Sequence, residues 1–101
     1  MTQPEARLSR QIMTSLRIEG HFCFKVHGTE MMMAGLPDII CCAEGVFIGL
    51  ETKMPGKRTN TSARQDLVHG QIRDAGGKVF VVTSVEEAMD VVKRAVRAAK
   101  S

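Results

Sequence analysis

The feature that most constrains the fold is a pair of apolar runs, "DIICC" and "VFIGLETK", joined by Glu44-Gly45. Two such runs with a two-residue connection are typical of a β-hairpin, although Glu-Gly is a weaker turn signal than Asn-Gly or Asp-Gly. Counting outward from this turn, one pair at a time, places Asp38 directly opposite Glu51. The sequence therefore predicts two central antiparallel strands whose ends bring two carboxylates together.

Helix and strand signals lie on both sides of this hairpin. The first helix has apolar residues at helical spacing, and the alternating stretch after it predicts a strand from Phe22 to His27. Two capping boxes, Ser62 with Gln65 and Ser84 with Glu87, open two further helices on either side of the buried strand "KVFVVT". The predicted order is α-β-β-β-α-β-α, an α/β fold with a mixed β-sheet flanked by helices.

Length and composition predict one small domain over residues 1–101. No segment is long and apolar enough to span a bilayer, and the N-terminus "MTQPEARLSR" lacks the apolar stretch of a secretory signal. The odd set Cys23, Cys41 and Cys42 has no metal-ligand spacing, which favours reduced thiols in a cytoplasm. Aromatic content is 4% with no Trp or Tyr, which disfavours single-strand recognition by base stacking.

The paired carboxylates need compensating positive charge, because like charges directly opposite each other on adjacent strands are destabilising. Strand alternation places Lys53 on the same face as Glu51, but this lysine supplies only one charge. A hard divalent cation such as Mg²⁺, which one or two carboxylates commonly hold, would satisfy the pair. The alternative is a structural salt bridge between Lys53 and Glu51, with Asp38 capping the turn after Pro37.

Further polar residues are candidates for the same site or for contacts with phosphate groups. Glu5 and Gln65 each lie on the buried stripe of a helix, but a helix-start carboxylate and a capping box explain them equally well. Met31 to Met33 is an unusual apolar run in a loop, suited to a dimer interface, to a wedge between bases or to local packing. Candidate phosphate contacts are Lys57, Arg58, Arg64 and His27, with a solvated loop and a strand-end histidine as the alternatives.

The ordered set of motifs resembles the PD-(D/E)XK nuclease signature, and more closely its VRR-NUC (virus-type replication-repair nuclease) branch. The resemblance covers nearly the whole chain, to about Val92. One departure is Thr52, where the family often has an aliphatic residue; we expect it to face away from the site and to affect packing more than chemistry. The matching features are Glu5 in the first helix, "GLPDII", "GVFIGLETKMPG", Gln65 opening the next helix, and "DAGGKVFVVTSVEEA".

The resemblance implies a metal-dependent DNA endonuclease, similar to the stand-alone, homodimeric, phage-encoded members that select branched or junction DNA in replication, recombination or repair. It would act in the cytoplasm of a bacterium or of a phage-infected cell. The implied ligands of Mg²⁺ or Mn²⁺ are Asp38, Glu51, the Thr52 carbonyl and Glu5, the last directly or through water.

The resemblance also implies roles for two polar side chains. Lys53 would orient or help deprotonate the attacking water, and Gln65 would steady Lys53 or the phosphate. Two alternatives remain open from the sequence: a DNA-binding or scaffold module that keeps the nuclease fold without turnover, and a nuclease acting on RNA or damaged ends.

Overall fold

The chain forms three helices and four strands in the computed structural model, which describes residues 4–28 and 32–101. The strands make one mixed sheet in the order β1-β2-β3-β4, with only the β3–β4 pair parallel. The predicted element order and the mixed, helix-flanked sheet are confirmed. In chain order the elements are α1 (Pro4–Ile18), β1 (Phe22–Lys25), β2 (Ile39–Ala43), β3 (Val46–Thr52), α2 (Ala63–Asp74), β4 (Lys78–Val82) and α3 (Val85–Lys100).

The β2–β3 hairpin has the register predicted from its two-residue turn. Ala43 pairs with Val46 next to the turn, and the pairing continues without a slip to the far end of β2. Glu44 and Gly45 have φ angles of 50° and 83°. Positive φ at both turn positions matches the right-handed twist of the strands, and this lets the short turn form despite its weak sequence signal.

One face of the sheet carries the main hydrophobic core, against which α1 and α3 pack. Strand residues on this face, such as Ile48 and Leu50, are fully buried. The core residues from the two helices are Ile12, Met13 and Leu16 in α1, and Ala88, Val92, Ala95 and Val96 in α3.

The other face of the sheet is covered only in part, by α2. Only Val68 and His69 of this helix are buried, and Ala75, which caps its C-terminus, is exposed. The backbone of α2 lies over β4, at one edge of the sheet, far from the opposite edge formed by β1. Phe22, Phe24 and Phe47 therefore stay between 43% and 68% exposed.

Gly49 positions the loop that leads into β2. A Cβ atom at this position would lie 2.5 Å from Pro37 Cγ, so the absence of a side chain lets the Pro37 ring pack on β3. Pro37 is fully buried there. This close approach sets the point at which Asp38 enters the sheet, beside the last residues of β3.

Two local predictions require correction. β1 ends at Lys25, short of the predicted His27; the position facing His27 is Pro37, which has no N–H to continue the ladder. The second capping box is only half formed. The Ser84 hydroxyl accepts from the Glu87 amide at 3.0 Å, but the Glu87 carboxylate accepts from Thr83 N at 2.7 Å instead of from Ser84.

Within the described ranges, no helix is long and apolar enough to cross a membrane. Cys23, Cys41 and Cys42 are free thiols. Met32 and Met33 are 42% and 55% exposed, whereas Met31 of the predicted methionine run lies outside the described residues.

Candidate active site

Asp38 and Glu51 meet where β2 begins and β3 ends. The hairpin register, continued by one residue beyond the Ile39–Leu50 pair, places them opposite each other. Asp38 is held by β3 itself, because its Oδ2 accepts hydrogen bonds from Thr52 N at 2.9 Å and from Thr52 Oγ1 at 2.7 Å. Thr52 was expected to affect packing more than chemistry; its side chain is buried on the core face of β3, but its hydroxyl also contacts the Asp38 carboxylate.

Glu51 is almost completely buried, with 2% of its surface exposed. Its Oε2 accepts a hydrogen bond of 3.0 Å from Gln65 Nε2. The same Gln65 side chain accepts from Ser62 N at 2.9 Å through Oε1, which completes the capping box of α2. The capping-box interpretation of Gln65 is confirmed, and its side chain also contacts Glu51. The implied role of steadying Lys53 or the phosphate stays a prediction.

Each carboxylate has a lysine of its own. Lys53 Nζ lies 3.6 Å from Glu51 Oε2, and Lys25 Nζ lies 3.7 Å from Asp38 Oδ1. Sequence reasoning missed Lys25 and counted Lys53 as the only nearby cation. The signal that could have found it is the β1–β2 register, since Lys25 pairs with Ile39, the residue next to Asp38.

The environment of Glu51 disfavours its charge. Burial first, and then the negative charge of Asp38, raise the pKa of Glu51 to about 7, against the opposing effects of Lys53 and Gln65. His69 Nε2 lies 4.0 Å from Glu51 Oε1, too far for a hydrogen bond. Burial, and then the charge of Arg73, lower the pKa of His69, so this imidazole does not supply a neutralising charge near pH 7.

These residues fit a hard divalent cation. Across residues 4–28 and 32–101, Glu51 Oε1 and His69 Nε2 are the buried side-chain polar atoms that have no hydrogen-bond partner. A buried carboxylate oxygen without a donor is costly unless a cation or water reaches it. The Thr52 carbonyl points to the same side of β3 as its amide, toward Asp38, because both groups of one strand residue face the same neighbouring strand.

Glu5 does not complete a preformed acidic cluster. No three His, Cys, Asp or Glu side chains within the described ranges lie close enough together to hold a metal ion by themselves. Glu5 is half-buried in the first turn of α1. It lies one helical turn before Ser9, whose hydroxyl is 3.0 Å from Thr52 Oγ1. Mg²⁺ commonly takes only one or two protein carboxylates and keeps water or phosphate as its other ligands, so the Asp38–Glu51 pair would fit such an ion without a third acid.

Comparison with solved structures identifies the fold. A solved VRR_NUC domain superimposes with a TM-score of 0.69 and 25% sequence identity, over 91% of this chain and 97% of that one. The chain has the fold of a VRR_NUC domain. The Holliday junction resolvase Hjc of Archaeoglobus fulgidus is also similar, with a TM-score of 0.59 and 20% identity over 77% of this chain and 66% of that one. No family model and no curated protein matches the sequence.

On this VRR_NUC fold, the predicted DNA-contacting residues have different surroundings. Lys57 and His27 are exposed. The Arg64 guanidinium donates to the Ala34 carbonyl at 3.3 Å, which links α2 to the loop before the site. Arg58 is bound within the protein: it donates to Val81 O at 2.7 Å and forms an ion pair with Glu87 at 2.7 Å.

Beside the site of the VRR_NUC fold lies an open depression of about 560 Å³. It is lined by Val26, Met32, Met33 and Gly35 and ends at Pro37 and Asp38. This depression gives Asp38 an approach from solvent, whereas Glu51 is enclosed by the sheet and α2.

Proposed function

We propose that this protein is a divalent-metal-dependent DNA endonuclease that hydrolyses phosphodiester bonds and selects branched or junction DNA. The observation that carries the proposal is the opposed Asp38–Glu51 pair, each with a lysine within 3.7 Å, on the fold of a VRR_NUC domain. A structural salt bridge alone would explain one acid and one lysine. Even two salt bridges, one for each acid, would leave Glu51 Oε1 as a buried carboxylate oxygen without a hydrogen-bond partner.

Asp38, Glu51 and the Thr52 carbonyl would hold Mg²⁺ or Mn²⁺, with Glu5 contributing through water. When bound, such an ion lowers the pKa of a coordinated water and offsets charge developing on the phosphate. Asp38 Oδ1 and Glu51 Oε1 are the oxygens available for this role, because Oδ2 and Oε2 already accept hydrogen bonds from Thr52 and Gln65.

Lys53 orients the attacking water and stabilises negative charge on the phosphate in the transition state. Its side chain is 15% exposed, so it acts from a partly desolvated position where electrostatic interactions are stronger than in water. Gln65 fixes the Glu51 carboxylate and thereby its spacing from Lys53. Lys25 is 27% exposed beside Asp38 and is placed to contact the same phosphate from β1.

The DNA backbone would approach along the depression that ends at Asp38. Lys57 in the loop after β3 and Arg64 at the start of α2 would contact flanking phosphates. The exposed His27 would add a contact from the segment after β1, where its neighbours Val26 and Gly28 line the depression. Phosphate contacts of this kind position DNA without reading its sequence. The preference for junctions rests on the similarity to Hjc, which is a Holliday junction resolvase.

A homodimer would suit a branched substrate, because a two-fold axis presents two active sites to a symmetric junction. The exposed sheet face around Phe22, Phe24 and Phe47 offers the apolar area that a second copy would cover. Light scattering should give twice the monomer mass of 11.1 kDa. Phe22→Glu should lower the measured mass toward that of the monomer. A monomer at micromolar concentration would overturn this part of the proposal.

The direct test uses labelled duplex, flap, splayed-arm and four-way junction DNA, each with Mg²⁺, Mn²⁺ or EDTA. We expect cleavage of branched DNA with either metal and none with EDTA. Lys53→Met should bind the junction without cleaving it. Tight junction binding by the wild type without cleavage under any condition would instead support a non-catalytic DNA-binding module.

A further inference from the structure

Two buried hydroxyl groups lie behind the Asp38 carboxylate, on the core side of the sheet. Ser9 in α1 and Thr52 in β3 are each 1% exposed, and their oxygens are 3.0 Å apart. A buried hydroxyl costs free energy unless it is hydrogen-bonded, so this pair needs a partner. Thr52 Oγ1 finds one in Asp38 Oδ2 at 2.7 Å.

The direction of these hydrogen bonds follows from the chemistry of the groups. An ionised carboxylate only accepts, and a hydroxyl has a single proton to donate. Thr52 therefore gives its proton to Asp38, and Ser9 must donate to Thr52. The chain of donors runs from α1 through β3 to the carboxylate, and each bond polarises the next.

The two carboxylate oxygens of Asp38 have different hydrogen-bond partners. Oδ2 receives both the Thr52 amide at 2.9 Å and the Thr52 hydroxyl at 2.7 Å. Oδ1 faces Lys25 Nζ at 3.7 Å, which is longer than a hydrogen bond. The rotation of the carboxylate is thus fixed by one oxygen, and the other is left for a ligand.

We infer that Ser9 and Thr52 are positioning residues that lock the Asp38 carboxylate through Oδ2 and present Oδ1 to the divalent cation. The inference rests on the proposed function, because it requires Asp38 to be a metal ligand. It assigns a role to the Thr52 hydroxyl that is separate from that of its carbonyl, and it connects the position of α1 to the geometry of the site.

The test replaces Thr52 by Val, which keeps the shape and removes the hydroxyl, and by Ser, which keeps the hydroxyl. Mn²⁺ binding without DNA is measured by electron paramagnetic resonance, and junction cleavage is measured alongside. Thr52→Val should weaken Mn²⁺ binding by about 10–100-fold, as groups that orient metal ligands typically do. Thr52→Ser should restore binding to within about threefold of the wild type, and the exposed-hydroxyl control Thr14→Val should change nothing.

A double-mutant cycle separates this role from ordinary packing. Ser9→Ala should weaken Mn²⁺ binding by several-fold in the wild type and should have no further effect in the Thr52→Val background, because the relay is already broken. If Thr52→Val does not fold, as judged by urea unfolding, Ser9→Ala carries the test by itself.

Three outcomes would count against the inference. Unchanged Mn²⁺ binding by Thr52→Val, or by Ser9→Ala where that variant carries the test, overturns the inference and leaves the proposed function intact. Equal loss in Thr52→Ser and Thr52→Val also overturns it, because the methyl group and not the hydroxyl would then matter. A wild type that neither binds Mn²⁺ nor cleaves overturns the proposed function and the inference together.

Discussion

Lys25 Nζ lies 3.7 Å from Asp38 Oδ1, and this contact changes the charge balance of the site. The sequence suggested that two carboxylates shared the single charge of Lys53. In the folded protein each carboxylate has a lysine, Lys25 from β1 and Lys53 from β3. The two lysines therefore offset the acidic pair in the metal-free protein. A bound cation would lie near both lysines, and their positive charges would also favour binding of a phosphate.

Lys25→Met should have opposite effects on the two ligands of the site. Loss of the positive charge beside Asp38 should strengthen Mn²⁺ binding in the absence of DNA by a few-fold, since like charges repel. The same change should weaken junction binding, because a phosphate contact is lost. Electron paramagnetic resonance and gel-shift titrations measure the two effects. Lys93→Met, on the exposed face of α3, is the control; equal changes in both variants would contradict the prediction.

Glu51→Gln should stabilise the metal-free protein at alkaline pH. A carboxyl whose folded-state pKa is raised from 4.5 to about 7 contributes its full stability below pH 4.5 and loses it as the pH rises through 7. Burial and then Asp38, just before β2, raise this pKa, whereas Lys53, just after β3, and Gln65 on α2 oppose the change. His69 on α2 also faces this carboxyl, at 4.0 Å. The stability gap between variant and wild type should therefore grow by roughly 2 kcal/mol between about pH 5 and pH 8.

Urea unfolding in EDTA at the two pH values measures this gap. The control is Glu19→Gln, which removes an exposed carboxylate after α1; surface substitutions of this kind usually change stability by less than about 0.5 kcal/mol. A Glu51→Gln protein that loses stability as the pH rises, relative to wild type, would show that the buried charge is better compensated than the structure indicates.

The β2–β3 hairpin and the N-terminal cap of α2 could be predicted, because each depends on residues that are close together in the sequence. The two-residue turn set the β2–β3 register, and Ser62 with Gln65 defined the start of α2. Contacts between distant segments were not predictable in this way. The Lys25–Asp38 pair needs the β1–β2 register, and the Ser9–Thr52 bond joins residues 43 positions apart. The roles that the resemblance implies for the site residues stay predictions.

Arg58 and Lys57 should behave differently, although they are adjacent in the basic loop. Arg58→Ala removes the ion pair with Glu87 and the bond to Val81 O, and should lower stability by about 1 kcal/mol. Lys57→Ala should leave stability unchanged and reduce the slope of log affinity against log salt by about 1. Urea unfolding and DNA titrations at several salt concentrations measure both. A salt slope that responds only to Arg58→Ala would reverse the assignment.

Gly49→Ala should destabilise the protein by a few kcal/mol and should impair the site, because the new Cβ would meet Pro37 Cγ at 2.5 Å. Gly70→Ala is the matched control, since a Cβ there has no neighbour within 4 Å among the described residues. This helical substitution should stabilise by about 0.5–1 kcal/mol. Thermal melting of both variants decides the point, and equal melting temperatures would show that the Pro37 contact does not hold the loop.

Cleavage of a four-way junction at saturating Mn²⁺ by Asp38→Asn is the most direct test of the central claim, that Asp38 and Glu51 hold the ion used for hydrolysis. Asn keeps the size of the side chain and an oxygen for Thr52, so the fold should persist while the charge is lost. Asp90→Asn, an exposed acid paired with Arg94, is the control. We predict that the rate falls by at least about 100-fold in Asp38→Asn and is unchanged in Asp90→Asn. A folded Asp38→Asn protein that cleaves at the wild-type rate would contradict the account.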